Sequence, residues 1–144
     1  MADDRTIAQR SETMRRVRSR GTSCETALLR ALRALGARPT RADSPTALVL
    51  PGKPDVVFCR ARVAVFVDGC FWHGCPAHCR LPASNRLYWL RKIARNRARD
   101  RASTHALRAR GWRVLRIWEH SVEADPARAA RRIVAALAAS RGVQ

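Results

Sequence analysis

The sequence predicts a mixed α/β domain: a β-sheet with helices on its faces, stapled by a metal-binding loop. Three observations carry this. Arg62 to Val67 contains VAVFV, a run apolar on both faces, as expected of a central buried strand. On either side of it, apolar residues recur at three- and four-residue spacing, the period of helices with one buried face. Directly after it come Cys70, Cys75 and Cys79, on a loop shaped by Gly69, Gly74 and Pro76. At 144 residues one domain is expected, 1–144, with a flexible arm at 1–10 and the metal loop at about 69–82.

Each element has its own signal. Ser11 caps a short basic helix, SETMRRVRSR, which Gly21 ends. A second helix starts at Thr22 or Ser23, with Glu25 in its first turn. Leu28, Leu29, Leu32 and Leu35 give it an apolar face, and Gly36 is its C-cap. Arg38 to Leu50 holds two prolines and one short strand. Asp55 to Cys59 and Arg62 to Val67 are strands joined by a tight turn at Arg60-Ala61. A long helix runs from roughly Asn85 to Arg110 and stops at Gly111. Its apolar positions include Leu87, Leu90, Ile93, Ala94 and Leu107, while Lys92, Asn96 and Asp100 line one face. Trp112 to Trp118, WRVLRIW, alternates as a strand. A final helix, about Pro126 to Ala139, packs through Ile133, Val134 and Leu137. The order α-α-β-β-β-α-β-α has no internal repeat and no linker, and describes a mixed sheet between helices.

Charge narrows the partner. The chain carries 29 Lys+Arg against 11 Asp+Glu, a net +18, nearly all of it Arg and spread along the sequence. A GC-rich genome accounts for Arg in place of Lys but not for so few acids. Such a surface attracts polyanions, nucleic acid first. An anionic membrane fits less well, because no strongly amphipathic basic terminus stands out and no apolar run reaches transmembrane length. MADDRTIAQR is polar with no apolar stretch behind it, so a cytoplasmic location is expected.

In a reducing compartment, three cysteines spaced C-x4-C-x3-C point to a metal rather than disulfides. Thiolates at that spacing can wrap one tetrahedral Zn2+. The fourth ligand is open among His73, His78 and His120, the last reaching the loop from beyond the WRVLRIW strand. Cys24 and Cys59 read as core residues, and His105 as a solvated surface residue.

The scarce acids are informative. Asp55 opens one strand, Asp68 ends the next, and Glu25 lies in the first turn of a helix. Two strand-end carboxylates and one from a helix can hold Mg2+ for phosphodiester hydrolysis. Helix capping by Glu25 and a turn role for Asp55 are the plainer alternatives. His73 can orient or deprotonate a water, or serve as a metal ligand. Phe71 and Trp72, on a Gly-flanked loop of a basic protein, can wedge between base pairs or pack in the core, and Trp89 carries the same two readings.

The runs SETMRRVRSRGTSCE, PGKPDVVF, VDGCFWHGCPAHC, YWLRKIARNRARD and GWRVLRIWEH resemble the very short patch repair endonucleases, in the same order and over about residues 11–122. The resemblance implies a restriction-endonuclease-like fold with a structural zinc, and Mg2+-dependent nicking of DNA 5′ of the thymine in a T:G mismatch. By position it implies Asp55 as the Mg2+-binding acid, the Val67 carbonyl as a further ligand, His73 as the water-assisting histidine, and Glu25 as an active-site acid. It implies Phe71, Trp72 and Trp89 as intercalating aromatics, with Lys92 and Asn96 near the DNA. The zinc set would be Cys70, Cys75, Cys79 and His120. Mismatch-repair proteins are the further partners it suggests, in a bacterial nucleoid.

Two departures stand out. Asp68 stands where the best-known member of the family has a second histidine, and supplies a second carboxylate in its place. Cys75 and His120 exchange ligand types, and the Cys75-to-Cys79 spacing is longer, so His78 remains a rival ligand. Two other readings follow: a non-catalytic zinc-containing protein that binds mismatched DNA, and a restriction-type nuclease indifferent to mismatches. A nicking enzyme needs one active site, so a monomer is expected.

Overall fold

The computed structural model describes residues 23–40, 49–70, 75, 81 and 83–141. The arm at 1–10 and the helix expected at Ser11 to Arg20 lie outside the described residues. The elements are α1 (residues 23–34), β1 (Val56–Phe58), β2 (Val63–Asp68), α2 (Arg86–Ala109), β3 (Arg113–Trp118), α3 (Glu119–Ala124) and α4 (Pro126–Arg141).

The sheet has the order β1-β2-β3. β1 pairs antiparallel with β2, Val56 opposite Val65 and Phe58 opposite Val63. β3 pairs parallel with β2, from Val63 opposite Arg113 to Asp68 opposite Trp118. The expected central strand is therefore central, and α2 is the crossover that a parallel β2–β3 pair requires. The strand expected within Arg38 to Leu50 is reduced, among the described residues, to one antiparallel bridge, Thr40 to Val57. The Thr40 hydroxyl also accepts the Cys59 N–H at 3.0 Å, which pins this segment to the edge of β1.

Alternation along the strands sorts the core into two layers. On one face Val56, Phe58, Val63, Val65 and Ile117 pack against Cys24, Leu28 and Leu32 of α1, Val122 of α3, and Ala129, Ala130 and Ile133 of α4. On the other, Val57, Ala64, Phe66 and Val114 pack against Leu107 of α2 and Leu50. Leu28 and Leu32 are wholly buried, so truncating either to Ala costs about 2–5 kcal/mol.

Glycines end two helices by the same geometry. Gly36 and Gly111 take φ of +78° and +86°. After α2, the Trp112 N–H reaches the Leu107 carbonyl at 3.0 Å and the Gly111 N–H reaches Arg108 at 3.0 Å. After α1, Ala37 bonds Leu32 and Gly36 bonds Arg33, both at 2.9 Å. This is the Schellman pattern, and the left-handed residue at its centre favours Gly. Asp125 caps α4: its Oδ1 accepts the Arg128 N–H at 3.0 Å, with Pro126 as the first helical residue.

Four apolar assignments change, Ala94 among them, which is exposed on α2. Leu87, Leu90 and Leu35 are 60%, 45% and 47% exposed. In α2 the buried stripe is Trp89, Ile93 and Leu107 instead, which turns Leu87 and Leu90 outward. Leu35 lies past the last helical turn of α1, beside the Gly36 cap, and so off its buried face. No helix among the described residues is long and apolar enough to cross a membrane.

Candidate active site and metal centre

Asp55 is placed by an unusual turn. Gly52 has φ of +76°, and a Cβ there would sit 2.7 Å from the Cβ and Oγ of Ser103 on α2. Only Gly lets the Pro51 to Pro54 turn lie this close to the helix. Lys53, next to it, also adopts positive φ. The chain then enters β1, and the Asp55 N–H donates to the Val65 carbonyl at 2.9 Å. The Asp55 side chain reaches further along β2, where its Oδ2 accepts the Val67 N–H at 2.7 Å. One carboxylate oxygen is thereby fixed beside the Val67 peptide.

Glu25, from the first turn of α1, joins Asp55 there. Burial, a hydrogen bond with Asp55, and the Asp55 charge together push the Glu25 carboxyl up to about 7. Glu25 therefore keeps its proton to higher pH than a free carboxyl, with Asp55 as its hydrogen-bond partner. A divalent cation can take the place of that proton, which is the sense in which this pair suits a metal. The structure thus brings together two of the three acids expected at one site.

The third acid lies elsewhere. Asp68 is buried, and its side chain falls on the β2 face beneath α2, with Phe66. Arg116 of β3 meets it there, Nη1 to Oδ1 at 2.9 Å. The same guanidinium bonds Thr104 Oγ1 at 2.9 Å and the Asp100 carbonyl at 3.1 Å, and it lies 4.1 Å over the Phe66 ring. The assignment of Asp68 to a metal-binding group with Asp55 is therefore corrected: a nearby guanidinium already engages its charge.

The metal loop meets the C-terminal half of the chain. Cys70 Sγ lies 3.2 Å from His120 Nδ1, and Cys75 Sγ lies 3.6 Å from the same atom. In a tetrahedral site, sulfur and nitrogen ligands stand about 3.5 Å apart, so the three groups fit one ion. The Cys75 N–H closes the turn on the Cys70 carbonyl at 2.9 Å. His120, at the start of α3, stacks on Trp118 with planes 14° apart, which orients its ring. Burial raises the Cys70 thiol, against a backbone hydrogen bond from His120 that lowers it. Cys79, His73, His78, Phe71 and Trp72 lie outside the described residues.

Trp89 is only 8% exposed and meets Tyr88 edge-on at 5.1 Å. In this conformation it belongs to the buried stripe of α2, and Tyr88 is the exposed ring of the two. Lys92 Nζ stands 5.9 Å from both rings. Asn96 is half-buried and accepts a hydrogen bond from Arg99. Cys24 is buried as expected; its thiol points at Glu123 Oε1, 3.5 Å away, and burial followed by that acid pushes it up to about 12. His105 is exposed.

Sequence reasoning missed Arg116 and the buried Glu119. A signal existed for the first: Arg116 shares strand parity with the buried Val114, so its side chain had to meet an acid beneath α2. Nothing comparable marks Glu119.

The chain matches a family model described as "DNA mismatch endonuclease Vsr" over residues 2–80. It is 50% identical over 115 residues to "Type II nicking enzyme V.NaeI" of Lentzea aerocolonigenes, covering 78% of this chain and 69% of that protein. It is 43% identical over 124 residues to "Type II nicking enzyme V.XorIIP" of Xanthomonas oryzae, covering 83% and 85%. It is 39% identical over 122 residues to "DNA mismatch endonuclease Vsr" of Escherichia coli, covering 83% and 74%.

Proposed function

Because the chain belongs to the DNA mismatch endonuclease Vsr family, and so is an endodeoxyribonuclease acting on DNA, we propose that it nicks one strand 5′ of the thymine in a T:G mismatch, using Mg2+. The observation that carries the chemistry is the Glu25–Asp55 pair, with Asp55 fixed on the Val67 N–H.

In this reading Asp55, Glu25 and the Val67 carbonyl hold Mg2+. Bound there, Mg2+ would polarise the scissile phosphate and make the attacking water more acidic. Asp55 contributes a carboxylate whose orientation the Val67 N–H fixes before any ligand arrives. Glu25, held at about 7, would have to release its proton before it could serve as a ligand. His73 orients or deprotonates the water. Asp68 is a positioning residue, locked to Arg116 at the end of β2, next to the Val67 peptide.

Zn2+ is the proposed occupant of the Cys70, Cys75 and His120 site, with Cys79 as fourth ligand. It would tie the loop that carries His73, Phe71 and Trp72 to the start of α3. Phe71 and Trp72 wedge beside the mismatch, where weaker stacking lowers the cost of insertion. Trp89 is the third proposed intercalating aromatic, although it is buried in this conformation, while Lys92 and Asn96 meet the DNA from α2. The fold is proposed to be restriction-endonuclease-like, and the protein a monomer in the bacterial cytoplasm, nucleoid-associated and working beside mismatch-repair proteins.

The test is strand cleavage of a duplex with one T:G pair, beside its T:A and C:G counterparts, in Mg2+ and in EDTA. A single nick 5′ of the thymine, confined to T:G and to Mg2+, is expected. Equal cleavage of all three duplexes would favour a nuclease without mismatch specificity. Tighter binding to T:G with no cleavage would make the protein a mismatch sensor.

A further inference from the structure

We propose that a groove between α2 and the C-terminal ends of β2 and β3 binds the DNA sugar-phosphate backbone, through Arg97, Arg101 and Arg108. This places a second DNA-binding surface on the flank of α2 opposite Lys92.

The groove is an open cavity of about 480 Å³. Arg97, Arg101 and Arg108 line one wall, and Trp118 of β3 lines another. At 3.6 residues per turn the three arginines share one flank of α2, roughly 160° around the helix from Lys92. The buried stripe of Trp89, Ile93 and Leu107 runs between the two flanks. A duplex held at Lys92 alone therefore leaves the arginine flank unexplained.

The floor of the groove offsets only part of the flank's charge, because Arg116 compensates one of its two acids. Its acids, Asp68 and Asp100, both lie against Arg116, at 2.9 Å and 3.7 Å. Arg97, Arg101 and Arg108 are exposed and form no ion pair among the described residues. Three guanidinium groups above a floor left with one net negative charge suit repeated phosphates, which they can grip with two N–H groups each. From Arg97 to Arg108 the helix rises about 16 Å, long enough to follow several phosphates of one strand.

The proposal rests on DNA being the partner, but not on mismatch cleavage. The test is binding of a fully matched duplex and of its T:G counterpart across a salt series, read by fluorescence anisotropy. The variant is Arg97→Ala/Arg101→Ala/Arg108→Ala. The control is Arg128→Ala/Arg131→Ala/Arg132→Ala on α4, which removes equal charge from exposed positions elsewhere. Circular dichroism checks that both fold. The groove variant is expected to lower the slope of log K against log salt by about 2–3, at roughly 0.9 for each phosphate that the protein no longer neutralises. Matched and mismatched duplexes should weaken together, by tenfold or more at low salt, and the control should keep the slope. An unchanged slope, an equal fall in the control, or a loss confined to the T:G duplex would each overturn the proposal. Absence of nicking in the parent protein would overturn the mismatch reading and leave this slope measurable on matched DNA.

Discussion

Asp68 and Arg116 form an ion pair across β2 and β3, 2.9 Å between Oδ1 and Nη1, on the sheet face that α2 covers. The pair does more than neutralise charge. Arg116 also bonds Thr104 and the Asp100 carbonyl, so it ties two parallel strands to the middle of their crossover helix. Removing Arg116 would leave Asp68 buried without this cation. Arg116→Ala is expected to destabilise by roughly 3 kcal/mol in urea unfolding. Arg116→Lys should recover little, because an ammonium cannot reproduce the planar fork that meets three acceptors. A wild-type midpoint for Arg116→Ala would show the pair to be incidental.

The turn before Asp55 makes a second prediction. Gly52→Ala puts a side chain in a left-handed conformation and drives its Cβ into Ser103. The conformational part alone costs about 1–3 kcal/mol. Because this turn sets Asp55, nicking should fall together with stability. Ser103→Gly in the same chain should relieve the overlap but not the backbone strain, so recovery should be partial in thermal melts.

Glu25 predicts a pH dependence with a definite sign. Its value in the folded protein, about 7, lies above the ordinary 4.5, so the fold favours the protonated acid. The stability this contributes is full below 4.5 and is lost as pH rises through about 7. Cation binding needs the carboxylate, so apparent Mg2+ affinity should rise across the same window. Calorimetry in buffers of different ionisation enthalpy should detect proton release on Mg2+ binding near pH 6. Glu25→Gln should abolish the release and flatten metal-free stability between the two limits.

The second metal position is checked by content rather than activity. The purified protein should hold about one zinc per chain, and Cys70→Ala, Cys75→Ala or His120→Ala should lower that content and the melting temperature together. Cys24→Ala should keep the zinc, since its thiol is pushed up to about 12 and bonds to Glu123. Zinc-free wild-type protein with an unchanged melting temperature would refute the site.

These features were unevenly legible in the sequence. The central position of β2 follows from VAVFV alone, since only a strand covered on both faces can bury every side chain. Gly36 and Gly111 announced the ends of α1 and α2 because a Schellman turn needs a left-handed residue. The buried stripe of α2 was harder, because Ala and polar residues fill the stretch between Ile93 and Leu107 and leave no apolar period. Helix α3 was missed, since six residues with Val122 as the buried apolar one carry almost no periodic signal. The Glu25–Asp55 site could be guessed from the scarcity of acids. Its separation from Asp68 could not, because that depends on Arg116, 48 residues further along the chain. Lysine and asparagine positions on α2 were visible as a pattern, but which flank faces a duplex is a tertiary fact.

The most direct test of the account is nicking of a T:G duplex by Asp55→Asn, with Mg2+, beside the wild-type protein and with duplex affinity measured in parallel. The substitution keeps the shape and the acceptor oxygen that meets the Val67 N–H, but removes the charge that would hold the metal. Cleavage should fall by at least a thousandfold while affinity for the mismatched duplex stays within a few-fold, the loss expected when a group that stabilises only the transition state is removed. Nicking at the wild-type rate, with contaminating nuclease excluded, would contradict the assignment of the Glu25–Asp55 pair as the catalytic centre.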